Sequence, residues 1–195
     1  MTDFLYSIDV SVFRFFNETI SNSLFDRFFP FITEVKHWHI AYIIVLGIVF
    51  VKGGRAGKII SISSLLLITA SDQISSQLIK NFVGRIRPCN ALENVNILAG
   101  CTGSYSFPSS HAVNNFTIAV FYSYFFPKYK GVLFTVASLV AFSRVYCGVH
   151  YPSDILGGAI IGSAIGYIFA FIIASADKKY GFLKLSTAGK EQHDS

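Results

Sequence analysis

An all-α bundle of about five helices embedded in a membrane is the fold that this sequence predicts, and three observations predict it. Of its 195 residues 52% are hydrophobic and only 14% are charged, which is too apolar for an ordinary soluble domain. Apolar stretches that approach the roughly 20 residues needed to cross the hydrocarbon lie near 35–51, 59–80, 109–127, 131–148 and 154–176. The cations of the short connections gather at alternate ends of these stretches, as topology in a bilayer requires.

Residues 1–34 precede the first stretch. Phe4 to Phe31 is rich in Phe but interrupted by Asp9, Arg14, Glu18, Asp26 and Arg27, a pattern that predicts an N-terminal amphipathic helical segment lying on the interface. A sixth span is the alternative. Met1 to Phe16 carries no basic n-region and does not resemble a cleaved signal, so the spans themselves are expected to direct insertion. The strongly apolar part of the first span, Ile40 to Val51, is short, and Trp38, Tyr42, His37 and His39 beside it read as an interfacial belt. In the second span Asp72, Ser76 and Lys80 share one helical face, which offers Asp72 either as a prop for Lys80 or as a structural hydrogen bond. The last span is free of charge from Ile155 to Ala176. Its Gly158, Gly162 and Gly166 form a groove for the close approach of another helix. Residues 35–177 thus form one membrane-embedded unit, and 178–195 form a cytoplasmic tail, polar from Gly181 onward.

Lys52, Arg55 and Lys58, then Lys128 and Lys130, then Lys178 and Lys179 mark the cytoplasmic connections, which leaves 81–108 and 149–153 outside. Arg85 and Arg87 break that rule, and function is the expected reason. The net charge of +5 is scattered between apolar runs, not gathered in a groove-sized patch, so nucleic acid is excluded as a partner and the bilayer is expected instead. Cys89 and Cys101 share the first outer loop, where a disulfide and two free thiols are both open; Cys147 is the odd one.

With this topology four polar clusters meet at the outer face: Lys80 with Arg87, Ser109-Ser110-His111, Arg144, and His150 with Asp154. Lys80, Arg87 and Arg144 suit the oxygens of a dianionic phosphoryl group. Pro108 to His111 opens a helix whose first N–H groups point at the same anion, and Ser109 adds a hydroxyl. The carboxylate of Asp154, four residues on, reaches back to His150, holding Nδ1–H and leaving Nε2 to attack phosphorus. His111 is placed to protonate the leaving oxygen and later to activate water. No carboxylate cluster of the kind magnesium wants accompanies them, so the expected chemistry uses neither metal nor cofactor.

Lys80-x6-Arg87-Pro88, Pro108-Ser109-Ser110-His111 and Ser143-Arg144-x5-His150-x3-Asp154 together resemble the three-part signature of the type 2 phosphatidic acid phosphatase superfamily, which also includes vanadium haloperoxidases and glucose-6-phosphatase. The resemblance implies His150 as nucleophile, Asp154 as its partner, His111 as leaving-group residue, and Lys80, Arg87, Ser109, the Ser110 N–H and Arg144 around the phosphate. Ser110 stands where the family usually has glycine. The implied function is removal of phosphate from a lipid phosphate or diphosphate at a bacterial inner membrane, on the periplasmic or extracellular side, with undecaprenyl diphosphate the first substrate expected. Phosphatidylglycerol phosphate, phosphatidate and the lipid A 1-phosphate are the other lipids that such relatives act on, and nothing in the motifs reads the tail. A lipid phosphotransferase, a vanadate-dependent peroxidase and an inactive membrane scaffold are the competing readings. Arg85 lies outside the signature and reads as a loop or headgroup contact.

Overall fold

Helices follow one another along the chain as α1 (Thr2–Arg14), α2 (Phe25–Thr33), α3 (His39–Lys52), α4 (Gly54–Gln73), α5 (Lys80–Val83), the short α6 (Pro88–Ala91), α7 (Ser110–Phe125), α8 (Lys130–Tyr146) and α9 (Pro152–Tyr180). The computed structural model describes residues 2–181 and 183, so most of the predicted tail lies outside the described residues.

The pair α7 and α9 forms the centre, because the glycines of α9 let two backbones meet. A Cβ at Gly162 would stand 2.2 Å from the Val113 carbonyl oxygen, and one at Gly166 2.4 Å from that of Thr117. Thr117 uses the closeness, donating its hydroxyl to the Gly162 carbonyl at 3.1 Å. Ile60 and Leu67 of α4 complete an apolar core with Phe121 of α7 and Ala170 of α9.

Outward faces are apolar as well. Ile40, Ile43, Val45 and Val51 of α3 and Leu156, Ile160, Ile168 and Ile172 of α9 are all exposed, surfaces that water does not tolerate in such numbers. Among the described residues, Gly54–Ala91 and Pro152–Tyr180 are the two helical stretches long and apolar enough to cross a membrane. Within the first, the rod ends at Val83, where Gly84 adopts a left-handed φ of 65° and stops the helix. The other predicted spans form shorter helices of 14, 16 and 17 residues in α3, α7 and α8.

Between α4 and α5 the helix widens into a π-helical segment, Ile74–Ile79. The wider turn alters the α-helical stacking of Asp72, Ser76 and Lys80. Asp72 accepts from Asn114 of α7 at 2.9 Å, and the Ser76 hydroxyl bonds back to the Asp72 carbonyl at 2.6 Å. Asp72 also lies within electrostatic range of Lys80, so it makes the structural hydrogen bond and remains a charge partner of Lys80.

The acidic residues that interrupt the N-terminal segment do not simply face headgroups. Asp9 is buried against Arg85 and Ser153, and Asp26 accepts from the Tyr146 hydroxyl at 2.6 Å. A second π-helical turn, Phe15–Thr19, sends Asn17 inward, where its amide bonds the carbonyls of Tyr146 and Asn96 at 2.7 and 2.8 Å. Trp38, read as part of a belt, is also pinned: its indole donates to the Ile32 carbonyl at 3.0 Å.

Candidate active site

Four elements bring their ends together at one end of the bundle. The α4–α5 rod delivers Lys80, the N-terminus of α7 delivers Ser109, Ser110 and His111, the C-terminus of α8 delivers Arg144, and the turn into α9 delivers His150 and Asp154. Gly148, with φ of 80°, makes that last turn; a Cβ there would meet the Asn96 carbonyl oxygen at 2.7 Å, so glycine is required. Cys89 and Cys101 form a disulfide, which settles the open alternative and ties the two sides of the loop that presents Arg87.

His150 sits at the centre, 1% exposed, and Asp154 beside it is fully buried. The Asp154 carboxylate lies 3.4 Å from Nδ1. On the other side of the ring Arg87 Nη1 approaches Nε2 at 3.0 Å. A guanidinium can only donate, so Nε2 accepts and the ring proton resides on Nδ1, facing Asp154. Burial pushes the His150 imidazole down to about 3; the nearby Arg87 and Arg144 charges add to this, against the opposing pull of Asp154. The ring is therefore neutral at physiological pH, with a lone pair on Nε2.

Arg87 is held rigidly, its Nε donating to the Ser104 carbonyl at 2.8 Å, Nη2 to the Ser104 hydroxyl at 2.9 Å and Nη1 to the Val149 carbonyl at 3.0 Å. Arg144 reaches the Thr33 hydroxyl at 2.9 Å. Lys80, Arg87 and Arg144 are all at least nine-tenths buried, yet among the described residues none of them forms an ion pair. Lys80 lies within electrostatic range of Arg87, Asp154 and Arg144. Two buried side-chain polar atoms among the described residues lack any hydrogen-bond partner, Ser109 Oγ and Arg144 Nε. Unpaired buried polar groups are rare and costly. Both of these belong to residues predicted from sequence to surround an anion.

Ser109 precedes α7 without capping it, and the first N–H groups of the helix, from Ser110 onward, lie outside its hydrogen-bond ladder. The Ser110 hydroxyl accepts from Ser75 at 3.1 Å, so this side chain, larger than the expected glycine, is turned toward α4 and its π-helical extension. His111 and Arg144 line a cavity of about 740 Å³ whose other walls include Thr33, Glu34, Val35 and Leu98.

Several site residues escaped the sequence reading. Ser106 donates to the Asp154 carboxylate and lies 3.4 Å from His150 Nδ1. Ser104 holds Arg87, and Thr33 holds Arg144 from the N-terminal segment. Arg85, read as a loop or headgroup contact, is engaged within the protein: it donates to Asp154 at 2.7 Å, to Ser153 at 2.6 Å and to Asp9 at 2.6 Å. The signal that could have found it was its place in a loop that the cation pattern predicts to be outside, against the positive-inside rule.

Comparison with known proteins adds independent likenesses. The family model described as the PAP2 superfamily matches residues 61–177. The chain is 35% identical over 181 residues to the lipid A 4'-phosphatase of Bacteroides thetaiotaomicron, covering 88% of this chain and 80% of that protein. Among solved structures it is similar to the crystal structure of Aquifex aeolicus LpxE, with a TM-score of 0.68, 30% identity and coverage of 82% of this chain and 93% of that one. It shares the fold of a transmembrane PAP2-type phosphatidylglycerolphosphate phosphatase from Bacillus subtilis, with a TM-score of 0.70, 22% identity and coverage of 88% and 87%.

Proposed function

The chain belongs to the PAP2 superfamily, and on that premise we propose that this membrane phosphatase hydrolyses the phosphate ester of a lipid through a phosphohistidine at His150. The observation that carries the reading is the coincidence of the two orphaned buried atoms, Ser109 Oγ and Arg144 Nε, with three buried cations that form no ion pair among the described residues. A phosphoryl dianion would satisfy all of them at once.

In this mechanism the phosphoryl oxygens take donors from Lys80, Arg87, Arg144, Ser109 and the opening N–H groups of α7. Arg87 moves its Nη1 hydrogen bond from His150 Nε2 to a phosphoryl oxygen, and the freed lone pair attacks phosphorus. The Nε2–P bond forms as the bond to the lipid oxygen breaks, and His111, which carries a second ring proton when the phosphoryl dianion is bound beside it, gives that proton to the departing oxygen. Asp154 stabilises the positive charge that the ring acquires. His111 then takes a proton from water as the water attacks phosphorus, and phosphate leaves with His150 restored. No step is assigned to a metal or cofactor.

The same reading places α3, the α4–α5 rod, α7, α8 and α9 across a bacterial inner membrane, with the site on the periplasmic or extracellular side and α1 and α2 packed at that face. Outward apolar residues on α3 and α9 and the cations at Lys52, Arg55, Lys58, Lys128, Lys130, Lys178 and Lys179 support this arrangement. The cavity beside His111, about 740 Å³, has room for more than a phosphate and receives the leaving group. As substrate we favour a phosphorylated glycolipid of the lipid A 4'-phosphate type, whose alcohol would leave into this cavity, over undecaprenyl diphosphate, because the similarity to the Bacteroides enzyme runs along 88% of the chain.

Purified protein with a panel of lipid A 4'-phosphate, lipid A 1-phosphate, undecaprenyl diphosphate and phosphatidylglycerol phosphate tests this. Free phosphate is expected from the first, with kcat/KM about tenfold or more above the others, in excess chelator and with inhibition by vanadate. Phosphate appearing only on a second lipid would make the protein a transferase, and release from none of the four would overturn the hydrolase reading.

A further inference from the structure

Arg85 differs from the three cations around it. Its Nη1 serves Ser153 and the Asp154 Oδ1, its Nη2 serves Asp9, and its guanidinium carbon lies 4.0 Å from the centre of the Tyr151 ring. It makes two ion pairs where, among the described residues, Lys80, Arg87 and Arg144 make none, so little of it is left for an anionic substrate. The residues it joins lie far apart in sequence. Asp9 belongs to α1, which precedes the region matched by the family model, and Asp154 touches His150.

Every other donor to the Asp154 carboxylate falls on Oδ2: the Tyr151 N–H at 2.8 Å, the Ser106 hydroxyl and, at a longer 3.4 Å, His150 Nδ1. Among the described residues Arg85 alone donates to Oδ1, and it therefore fixes the rotation of the carboxylate about its own axis. The longest of these contacts, the one to His150, is the first to open when that rotation is freed. Asp9 completes the arrangement from the other side. It accepts from Arg85 and from the Ser153 N–H at 2.9 Å, in the first turn of α9, and takes its own hydrogen bond from the Ser153 hydroxyl. Its charge balances Arg85, so that Arg85 does not draw the whole of the Asp154 charge away from the imidazole.

We infer that Arg85 and Asp9 are positioning residues for the Asp154–His150 pair, which makes the N-terminal helix part of the catalytic apparatus. The inference rests on His150 acting as the nucleophile. Neither residue touches substrate; both act through the orientation and charge of Asp154.

The test uses the full-length protein in detergent, with Arg85→Gln, Arg85→Lys, Asp9→Asn and the Asp9→Asn/Arg85→Gln double variant. Rates on nitrophenyl phosphate are normalised to vanadate-binding sites, so that unfolded protein does not count. Arg85→Gln is expected to lower kcat about tenfold to a hundredfold and Asp9→Asn about tenfold, as for other groups that orient an active-site histidine. KM and the vanadate Kd should change by less than about threefold, and Arg85→Lys should recover part of the loss. The double variant should be no worse than Arg85→Gln, because both substitutions break one chain of contacts. The 15N shifts of His150, read without substrate, should show the Nδ1–H tautomer losing its dominance in Arg85→Gln. That measurement separates failure of this inference from failure of the phosphatase reading, since it needs no turnover. Weakened vanadate binding at unchanged kcat would make Arg85 a substrate contact. Unchanged kcat per site with a wild-type tautomer would leave it a structural tie, and either result overturns the inference.

Discussion

Replacement of His150 by alanine is expected to reduce turnover of every phosphate ester to below about one part in 10⁴ of wild type, whatever the leaving group. Nε2 forms the bond to phosphorus in the proposed reaction, and no other neutral imidazole is held between Arg87 and Asp154 to replace it. His111→Ala should behave differently. It removes the proton donor beside the leaving-group cavity but leaves the nucleophile and the cradle of Lys80, Arg87 and Arg144 in place. General acid catalysis contributes about 10²–10⁴-fold, so an alkyl phosphate should lose up to that factor, while a nitrophenyl phosphate, whose leaving group needs little protonation, should lose less. Single-turnover rates on both substrates decide the matter. A leaving-group dependence at His150 and none at His111 would mean that the two roles are reversed.

The second large effect is predicted away from the chemistry. Gly162→Val should prevent α7 and α9 from meeting, because even its Cβ would stand 2.2 Å from the Val113 carbonyl oxygen and 2.9 Å from the carbonyl carbon. Those are backbone atoms and cannot turn aside. The helices must separate, and the hydrogen bond from Thr117 to the Gly162 carbonyl is lost with them. Overpacking costs typically about 1–3 kcal/mol, occasionally more, and the contact between the Ser109 N–H and the Asp154 carbonyl, 3.2 Å, lies on the same interface, toward the site from Val113 and Gly162. A fall in the thermal midpoint of several degrees and a loss of most activity are expected together. Gly157→Ala is a milder comparison, since its Cβ meets the Phe107 ring, and Gly100→Ala meets nothing within 4 Å and should be neutral. Thermal unfolding and size-exclusion profiles in detergent measure the series. A Gly162→Val protein with the wild-type midpoint would contradict the packing account.

These two sets of residues were legible in the sequence for different physical reasons. The glycine groove of α9 is local: residues four apart share a face on any α-helix, so the spacing of Gly158, Gly162 and Gly166 states its own geometry. Lys80, His111, Arg144 and His150 were legible because a charged or titratable side chain beside a membrane span is costly, and alternate spans bring such positions to one face. The partners that hold them were not. Arg85 finds Asp9 across 76 residues and Asp154 across 69, Arg144 finds Thr33 across 111, and no periodicity links such pairs. Ser104 and Ser106 lie in an irregular loop where serine is ordinary. The π-helical segment Ile74–Ile79, immediately before Lys80, has no compositional mark either. The length reading was also incomplete: α7 and α8 are shorter than the stretches that predicted them, because Ser109 before α7 and Cys147 and Gly148 after α8 belong to turns at the site, while Phe126 and Pro127 enter the connection at the other end.

The central claim is that phosphate passes through His150. Mixing enzyme with a 32P-labelled lipid phosphate, quenching within milliseconds in alkaline denaturant and digesting the chain should give one labelled peptide, containing His150, whose label survives base and is lost in acid, as expected of a phosphohistidine. The label should be absent from His150→Ala and should accumulate in His111→Ala when a good leaving group feeds the first step and the water step is slowed. Label on any residue other than His150, or hydrolysis at the wild-type rate with no phosphoenzyme at any quench time, would contradict the account.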